Sequence, residues 1–239
     1  MSYGLEYRSL AAEAAPSERA AFIRQTYAHL AAAILLFAGL ETFLVNLPGA
    51  GELSLSLLGT SRFSWLIVLV AFMGVSYLAN KWARSDTSLL LQYLGLGLYV
   101  VAQAVIFLPL LFLADKYFPD DHIILTAGVL TLAIFLGLSS VVLVTRRDFS
   151  FLRTYLMVGS FIALGVIVAG IFLPAIGLGL VFCFFMVALS CGYIIFQTSN
   201  LLHQYRTDQY VAASLALFAA VALLFWYILQ ILMSLNRRN

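Results

Sequence analysis

The stretch YVAASLALFAAVALLFWYILQILMSL, residues 210–235, decides the fold class because it contains no Asp, Glu, Lys or Arg. A helix of about 20 apolar residues crosses the ~30 Å hydrocarbon core of a bilayer, so this run is long enough to span a membrane. Six further runs pass the same length test. Working back along the chain, they cover residues 175–196, 155–173, 123–145, 89–114, 63–79 and 22–47. The sequence therefore predicts an all-α membrane protein, a bundle of seven transmembrane helices.

The composition of the 239-residue chain indicates the same class. Hydrophobic residues make up 63% of it and charged residues 10%, whereas a soluble domain carries about 25% charged residues. The net charge of +2 comes from 13 basic and 11 acidic residues that lie mostly between the apolar runs. This pattern offers no basic surface to nucleic acid. We therefore expect the lipid bilayer to be the main surroundings of the chain.

The basic residues predict the orientation of the chain and its division. Lys and Arg are preferentially retained on the cytoplasmic side, and with the N-terminus inside, the inner segments hold nine of them against four in the outer segments. We expect a cytoplasmic N-terminal tail (residues 1–21), a membrane domain (22–235) and a short C-terminal tail (236–239). Two interpretations of the last run remain. It crosses fully and leaves Arg237 and Arg238 outside, which its length favours, or it re-enters and returns them to the cytoplasm.

Glu41 is the one acidic residue well inside a predicted span. A carboxylate in hydrocarbon costs roughly 2.5 kcal/mol or more unless it is paired, protonated or hydrated, which makes Glu41 a candidate functional residue. Because Pro48 follows soon after it, the side chain could instead extend to the outer interface. A pairing with Arg237 or Arg238 at the same end is a third interpretation.

No pattern of residues indicates catalysis, a metal site or a cofactor. The sequence contains neither a Gly-rich phosphate loop nor a His-Glu-x-x-His motif. Cys183 and Cys191 lie in one apolar run, about 12 Å apart along a helix that rises 1.5 Å per residue, which is too far for a disulfide bond. We therefore predict a protein that is not an enzyme and holds no cofactor.

Three stretches in the second half of the chain carry a family resemblance. They are VLVTRRDFSFL (142–152), GYIIFQTSNLLH (192–203) and DQYVAASLALFAAVALLFWYILQIL (208–232). Each resembles the segment in the same place in the transmembrane Bax-inhibitor-motif family (Bax inhibitor-1-like), and RQTYAHL and ANKWAR extend the likeness over the earlier spans. Within the family, the chain is most similar to the bacterial YccA-like branch. The resemblance implies a seven-helix bundle with the last helix near its centre.

The resemblance also implies where an ion gate would lie. Several members have one aspartate in the sixth span and one in the seventh, and the pair is linked to a proton-sensitive calcium leak. Two neighbouring carboxylates cannot both ionise cheaply, so their shared proton would set a pH-dependent gate. The matching positions here are Gln197 and Ala220. Neither can titrate, so the resemblance argues against a carboxylate gate and against calcium binding by that pair.

The YccA-like branch implies a function in quality control of membrane proteins and in stress response. Its members are implicated in modulating FtsH, a membrane-anchored protease, so the resemblance implies a bacterial inner-membrane protein with an FtsH-type partner. The predicted contact features are the N-terminal tail, a cytoplasmic loop and a polar cluster. The loop contains Arg146, Arg147 and Asp148, and the polar cluster at the inner mouth of the sixth span consists of Gln197, Ser199 and Asn200.

Other interpretations of these residues remain open. Topological anchoring and helix capping would explain the loop and the polar cluster without any partner. The rival function is a pH-sensitive calcium or cation leak that uses Glu41 or the acidic outer loop. The acids of that loop are Asp115, Asp120 and Asp121, which could equally be solvated.

Overall fold

The computed structural model describes residues 10–59, 62–86, 88–119, 122–173 and 179–237. Within these residues the chain is helical apart from its loops and an isolated strand-like bridge between Leu10 and Arg206. The helices are α1 Pro16–Val45, α2 Ala50–Leu58, α3 Arg62–Ala83, α4 Leu89–Tyr117, α5 Ile123–Thr145, α6 Leu152–Phe172, α7 Leu180–His203 and α8 Tyr210–Asn236. All except α2 are long and apolar enough to cross a membrane. The prediction of an all-α bundle with seven membrane spans is confirmed.

The short helix α2 was not predicted. It has nine residues, which at 1.5 Å per residue extend about 14 Å, too short to cross the bilayer. Gly49 before it and Gly59 after it have φ angles of 92° and 73°, a region that glycine adopts without steric cost. Pro48 and Gly49 lie in the turn that leads directly from α1 into this helix.

α7 extends further than predicted. The sequence placed the end of the sixth span at Phe196, whereas the helix continues to His203. The polar residues in these additional turns find partners inside the fold. One example is Ser199, whose hydroxyl accepts a hydrogen bond of 2.9 Å from the backbone N–H of Phe149 in the loop before α6. Pro174, between the predicted fifth and sixth spans, lies outside the described residues.

α8 lies at the centre of the bundle, as the resemblance implied. It packs against α1, α3, α4, α5 and α7. In the most apolar 18-residue stretch of α8, 61% of the residues are buried inside the protein, whereas the corresponding stretch of α3 has 11% buried. Its first turns contain the small residues Ala212, Ala213 and Ser214, which allow neighbouring helices to approach closely in lipid.

Aromatic side chains connect α8 with α1 and α4. Phe218 makes edge-to-face contacts with Phe37 and Tyr99, at ring-centroid distances of 5.8 and 6.1 Å. Phe37 makes another with Phe107 at 5.1 Å. Pairs of this geometry contribute about 0.5–1.5 kcal/mol beyond the burial of the rings. The cluster therefore holds together the three helices that provide most of the wall around Glu41.

Gly95 allows α3 and α4 to come into backbone contact. A Cβ atom at this position would lie 2.6 Å from the carbonyl oxygen of Ala79 and 2.6 Å from the amide nitrogen of Ala83. Both are backbone atoms in a closely packed helix, so neither can rotate out of the way. Any side chain at position 95 would force the two helices apart.

The polar segments gather at two opposite ends of the bundle. The Arg84 end consists of the turn after α3, the α5–α6 loop (146–151), the α7–α8 loop (204–209) and the segment 10–15 before α1. The Glu41 end consists of the C-terminal turns of α1, α4 and α8, the helix α2 and the start of α5. Both ends contain a cavity with predicted site residues.

Candidate functional site

A polar cavity of about 380 Å³ opens at the Arg84 end. It brings Gln197 and Asn200 of the predicted polar cluster together, with Asn200 Nδ2 donating to Gln197 Oε1 at 3.4 Å. Two arginines, Arg84 and Arg153, also line it, and no acidic residue is among the lining side chains. The other amide side chains in its wall are those of Gln204 and Gln209. The cavity is therefore positively charged and rich in amide groups.

Ser199, the third member of the polar cluster, has a separate role. Its side chain is 1% exposed and its hydroxyl accepts a hydrogen bond of 2.9 Å from the backbone N–H of Phe149. The same hydroxyl lies 3.5 Å from the carbonyl oxygen of Arg147. Ser199 thus attaches the α5–α6 loop to α7. The contact supports the anchoring interpretation for this residue.

The α5–α6 loop is shaped by its own residues. Arg146 ends α5 with a φ angle of 51°. The two carboxylate oxygens of Asp148 accept hydrogen bonds from the backbone N–H and the hydroxyl of Ser150, at 2.8 and 3.2 Å. Such a turn rigidifies the loop without using the arginines. The side chains of Arg146 and Arg147 are exposed on the surface of the Arg84 end.

The α7–α8 loop carries an ion-pair network that the sequence analysis missed. The Arg206 guanidinium contacts Asp86 in the turn after α3 and bonds Asp208 at 3.1 Å. Hydrogen bonds to Asp208 and Asp86 raise the pKa of Arg206 above its ordinary value. Opposite charges in two loops expected on the same side of the membrane were the signal that could have identified this pairing.

The same loop holds the segment before α1. The backbone N–H of Ala11 donates to the carbonyl oxygen of Tyr205 at 2.9 Å. Arg19 Nε then donates to the Ala11 carbonyl at 2.6 Å. Burial raises the pKa of the Tyr205 hydroxyl, and the nearby charge of Arg84 partly opposes this shift. The hydroxyl therefore stays protonated at neutral pH, and Tyr205 is among the residues that line the polar cavity.

The two positions that match the family's aspartates differ in their surroundings. Gln197 is half-buried and lines the polar cavity. Ala220 is 5% exposed, lies in the apolar core of α8 and is not among the residues lining that cavity. An amide and a methyl group cannot exchange a proton between them.

Glu41 lies inside the protein, contrary to the interpretation that its side chain extends to the interface. The residue is 5% exposed, and neither carboxylate oxygen has a hydrogen-bond partner within the described part of the chain. Arg237, a predicted partner, lines a different cavity beside Gln230, so that pairing is not formed. Arg238 lies outside the described residues.

A second cavity, of about 290 Å³, is lined by both Glu41 and Asp115. Asp115 lines it together with Thr42 and Asn46, and the Asp115 side chain is exposed. Asp120 and Asp121 lie outside the described residues. Across residues 10–237, leaving out the undescribed gaps, no three His, Cys, Asp or Glu side chains form a cluster that could hold a metal.

Comparisons with known proteins give the chain a context. Residues 19–238 match the sequence profile described as inhibitor of apoptosis-promoting Bax1. The chain is 31% identical to "Modulator of FtsH protease YccA" of Escherichia coli K12, over 70% of this chain and 74% of that protein. It is 28% identical to an uncharacterised protein of Pseudomonas aeruginosa, over 95% of both chains. The identity to "Protein lifeguard 4" of Mus musculus is 26%, over 97% of this chain and 92% of that one. No solved structure matches the chain.

Proposed function

We propose, from the premise that this chain belongs to the Bax inhibitor-1 family, that it modulates an FtsH-type membrane protease in quality control of membrane proteins. The observation that carries the proposal is the 31% identity to a relative named as a modulator of the FtsH protease. The proposed action is binding and involves no bond-breaking step. We further propose a bacterial inner membrane as its location and a cytoplasmic N-terminus.

The Arg84 end is the proposed contact surface. In the proposed orientation it faces the cytoplasm, since basic residues are retained there. Arg146 and Arg147 are exposed on a loop that Asp148 and Ser199 hold in a fixed shape. Because the loop backbone is already held, only the arginine side chains lose conformational entropy when a partner binds. These features support docking of a protein surface that carries acidic groups.

Co-purification from native bacterial membranes tests this proposal. We expect a variant with Arg146→Glu and Arg147→Glu to recover at least fivefold less FtsH-type protease than the unchanged protein, because the charges at the contact are reversed. Lys116→Glu, a charge reversal at the Glu41 end, is the matched control and should recover the normal amount. Failure to recover any protease, or equal recovery by all three proteins, would contradict the proposal.

Labelling of introduced cysteines tests the orientation. In a background with Cys183→Ala and Cys191→Ala, a membrane-impermeant maleimide should label Lys116→Cys in intact spheroplasts. Arg147→Cys should be labelled only after the membrane is opened. The reverse pattern would place the N-terminus outside and remove the proposed cytoplasmic contact surface.

The alternative function is a pH-sensitive calcium leak. Gln197 and Ala220 weaken it, since they leave no carboxylate pair to share a proton. We expect liposomes with the unchanged protein to show no acid-dependent calcium flux, and the double variant Gln197→Asp with Ala220→Asp to show more flux than either single variant. Steep acid-dependent flux through the unchanged protein would favour the leak.

A further inference from the structure

The polar cavity at the Arg84 end carries positive charge that the fold does not neutralise. Arg84 and Arg153 both line it, and both side chains are exposed. Neither has an ion-pair partner among the described residues, whereas Arg206 at the same end has two. A cavity lined by charges of one sign attracts ions of the other sign. The two arginines therefore favour an anion from outside the chain.

The glutamine side chains of this cavity are arranged as hydrogen-bond donors. Gln197 Oε1 accepts from Asn200 Nδ2 at 3.4 Å, and Gln209 Oε1 accepts from the backbone N–H of Arg206 at 3.2 Å. The oxygen of each glutamine is thus engaged, while its NH₂ group has no partner among the described residues and remains a donor. Guanidinium and amide N–H groups together match a ligand with several acceptor oxygens, such as a phosphate group.

An apolar groove of about 330 Å³ continues from this cavity along α6 and α7. Arg153 and Phe196 line both the cavity and the groove. The remaining α6 residues of the groove follow the three- and four-residue spacing of one helix face. They are Leu156, Met157, Ser160, Phe161 and Leu164. From Arg153 to Leu164 this face extends about 16 Å at 1.5 Å per residue, which is roughly the depth of one leaflet in a hydrocarbon core of ~30 Å.

The surface of the groove suits a hydrocarbon chain. Its two hydroxyl groups, those of Ser160 and Tyr193, bond each other at 2.8 Å, and the Ser160 hydroxyl donates to the Leu156 carbonyl at 2.8 Å. Leu156 is 5% exposed and Phe161 is 69% exposed, so the groove has a buried floor and an open rim. An acyl chain in it would meet apolar carbon and hydroxyl groups that are already hydrogen-bonded.

From these observations we propose that the cavity and the groove together bind one anionic phospholipid. Its phosphate group lies between Arg84 and Arg153, and an acyl chain lies in the groove of α6 and α7. Basic pockets between membrane-spanning helices recognise anionic head groups in this way. A head group with an ammonium is disfavoured, because no acidic side chain is among the residues that line the cavity. The proposal uses arginines other than those of the proposed protease contact and does not rest on that function.

Thermal unfolding of the full-length protein, purified without lipid in a neutral detergent, tests the site when phosphatidylglycerol is added. A ligand that binds only the folded state raises the melting temperature in a concentration-dependent way. We expect phosphatidylglycerol to raise it more than phosphatidylcholine, which carries an ammonium. Glycerol 3-phosphate, which has no acyl chain, should leave it unchanged. Arg84→Gln and Arg153→Gln should each require at least tenfold more phosphatidylglycerol for the same shift.

Lys81→Gln is the matched control, because Lys81 is an exposed charge in the last turn of α3 and does not line the cavity. It should respond to phosphatidylglycerol like the unchanged protein. In detergent alone, the Arg84 and Arg153 variants should unfold at the normal temperature, which verifies that they fold. No shift with phosphatidylglycerol, an equal shift with phosphatidylcholine, or an equal loss in Lys81→Gln would disprove the site. A shift with glycerol 3-phosphate would assign the cavity to a soluble phosphate ester and overturn the lipid.

Discussion

The two ends of the bundle use their polar residues differently. At the Arg84 end, Arg206 is paired with Asp86 and Asp208, and Ser199 accepts a backbone hydrogen bond from the α5–α6 loop. At the Glu41 end, a carboxylate is buried with no partner within the described residues. Polar groups at the first end hold loops in place, whereas Glu41 contributes no hydrogen bond to the fold. The comparison teaches that polar residues in the two ends have opposite effects on the fold, since paired groups hold loops in place and an unpaired buried carboxylate gives up its hydration without a new hydrogen bond.

The largest expected effect concerns the close packing near the Arg84 end. Gly95→Ala should lower the free energy of unfolding by about 3 kcal/mol, at the upper end for overpacked sites, because the new Cβ atom would overlap backbone atoms of α3. Thermal unfolding in detergent measures the loss. Gly97→Ala is the matched control, since nothing lies within 4 Å of its Cβ position. Equal stability of the two variants would show that α3 and α4 are not in backbone contact.

The next effect tests the attachment of the α5–α6 loop. Ser199→Ala should cost about 2 kcal/mol, because the Phe149 N–H would lose its acceptor in a largely buried site. Ser190→Ala is the control, since Ser190 is equally buried in α7 and its hydroxyl bonds, among the described residues, the Met186 carbonyl of its own helix. Limited proteolysis of the loop and thermal unfolding would both report the difference. A Ser190 variant that loses as much as the Ser199 variant would contradict the attachment.

At the Glu41 end the sign of the effect should reverse. Glu41→Met should raise the free energy of unfolding by about 1–2 kcal/mol, since a buried polar group without a hydrogen-bond partner among the described residues is removed at similar volume. Glu52→Met, on the exposed surface of α2, should change it by less than about 0.5 kcal/mol. A destabilised Glu41→Met variant would mean that Glu41 has a stabilising partner. It would contradict the conclusion that the two ends use their polar residues differently.

The smallest effect concerns the ion pairs of Arg206. Arg206→Ala should cost at most about 1 kcal/mol, because surface ion pairs contribute little and are screened by salt. The loss should shrink between 50 mM and 500 mM salt. Arg153→Ala, which removes an exposed arginine of the same end, should show no such salt dependence. A large, salt-independent loss in Arg206→Ala would indicate that the network is structurally more important than its exposure suggests.

The sequence predicted the spans well because lipid imposes a simple requirement on length and charge, as the run in α8 shows. It missed α2, since a nine-residue helix beside a Pro-Gly turn has no membrane signal. It identified Glu41 as a candidate but could not place its carboxylate, because burial depends on how α1 is rotated against α4, α5 and α8. It grouped Ser199 with Gln197 by proximity in sequence, although neighbouring positions on a helix point in different directions.

The pairing of Ala11 with Tyr205 has a mechanical consequence. A force applied to the chain ahead of Leu10 would load this pairing, among the described contacts, before it reached α1. The tension would pass into the loop next to α8, the helix at the centre of the bundle. Extraction from the amino end would therefore begin by shearing a short backbone pairing and pulling on the middle of the molecule. Peeling an outer helix away would come later.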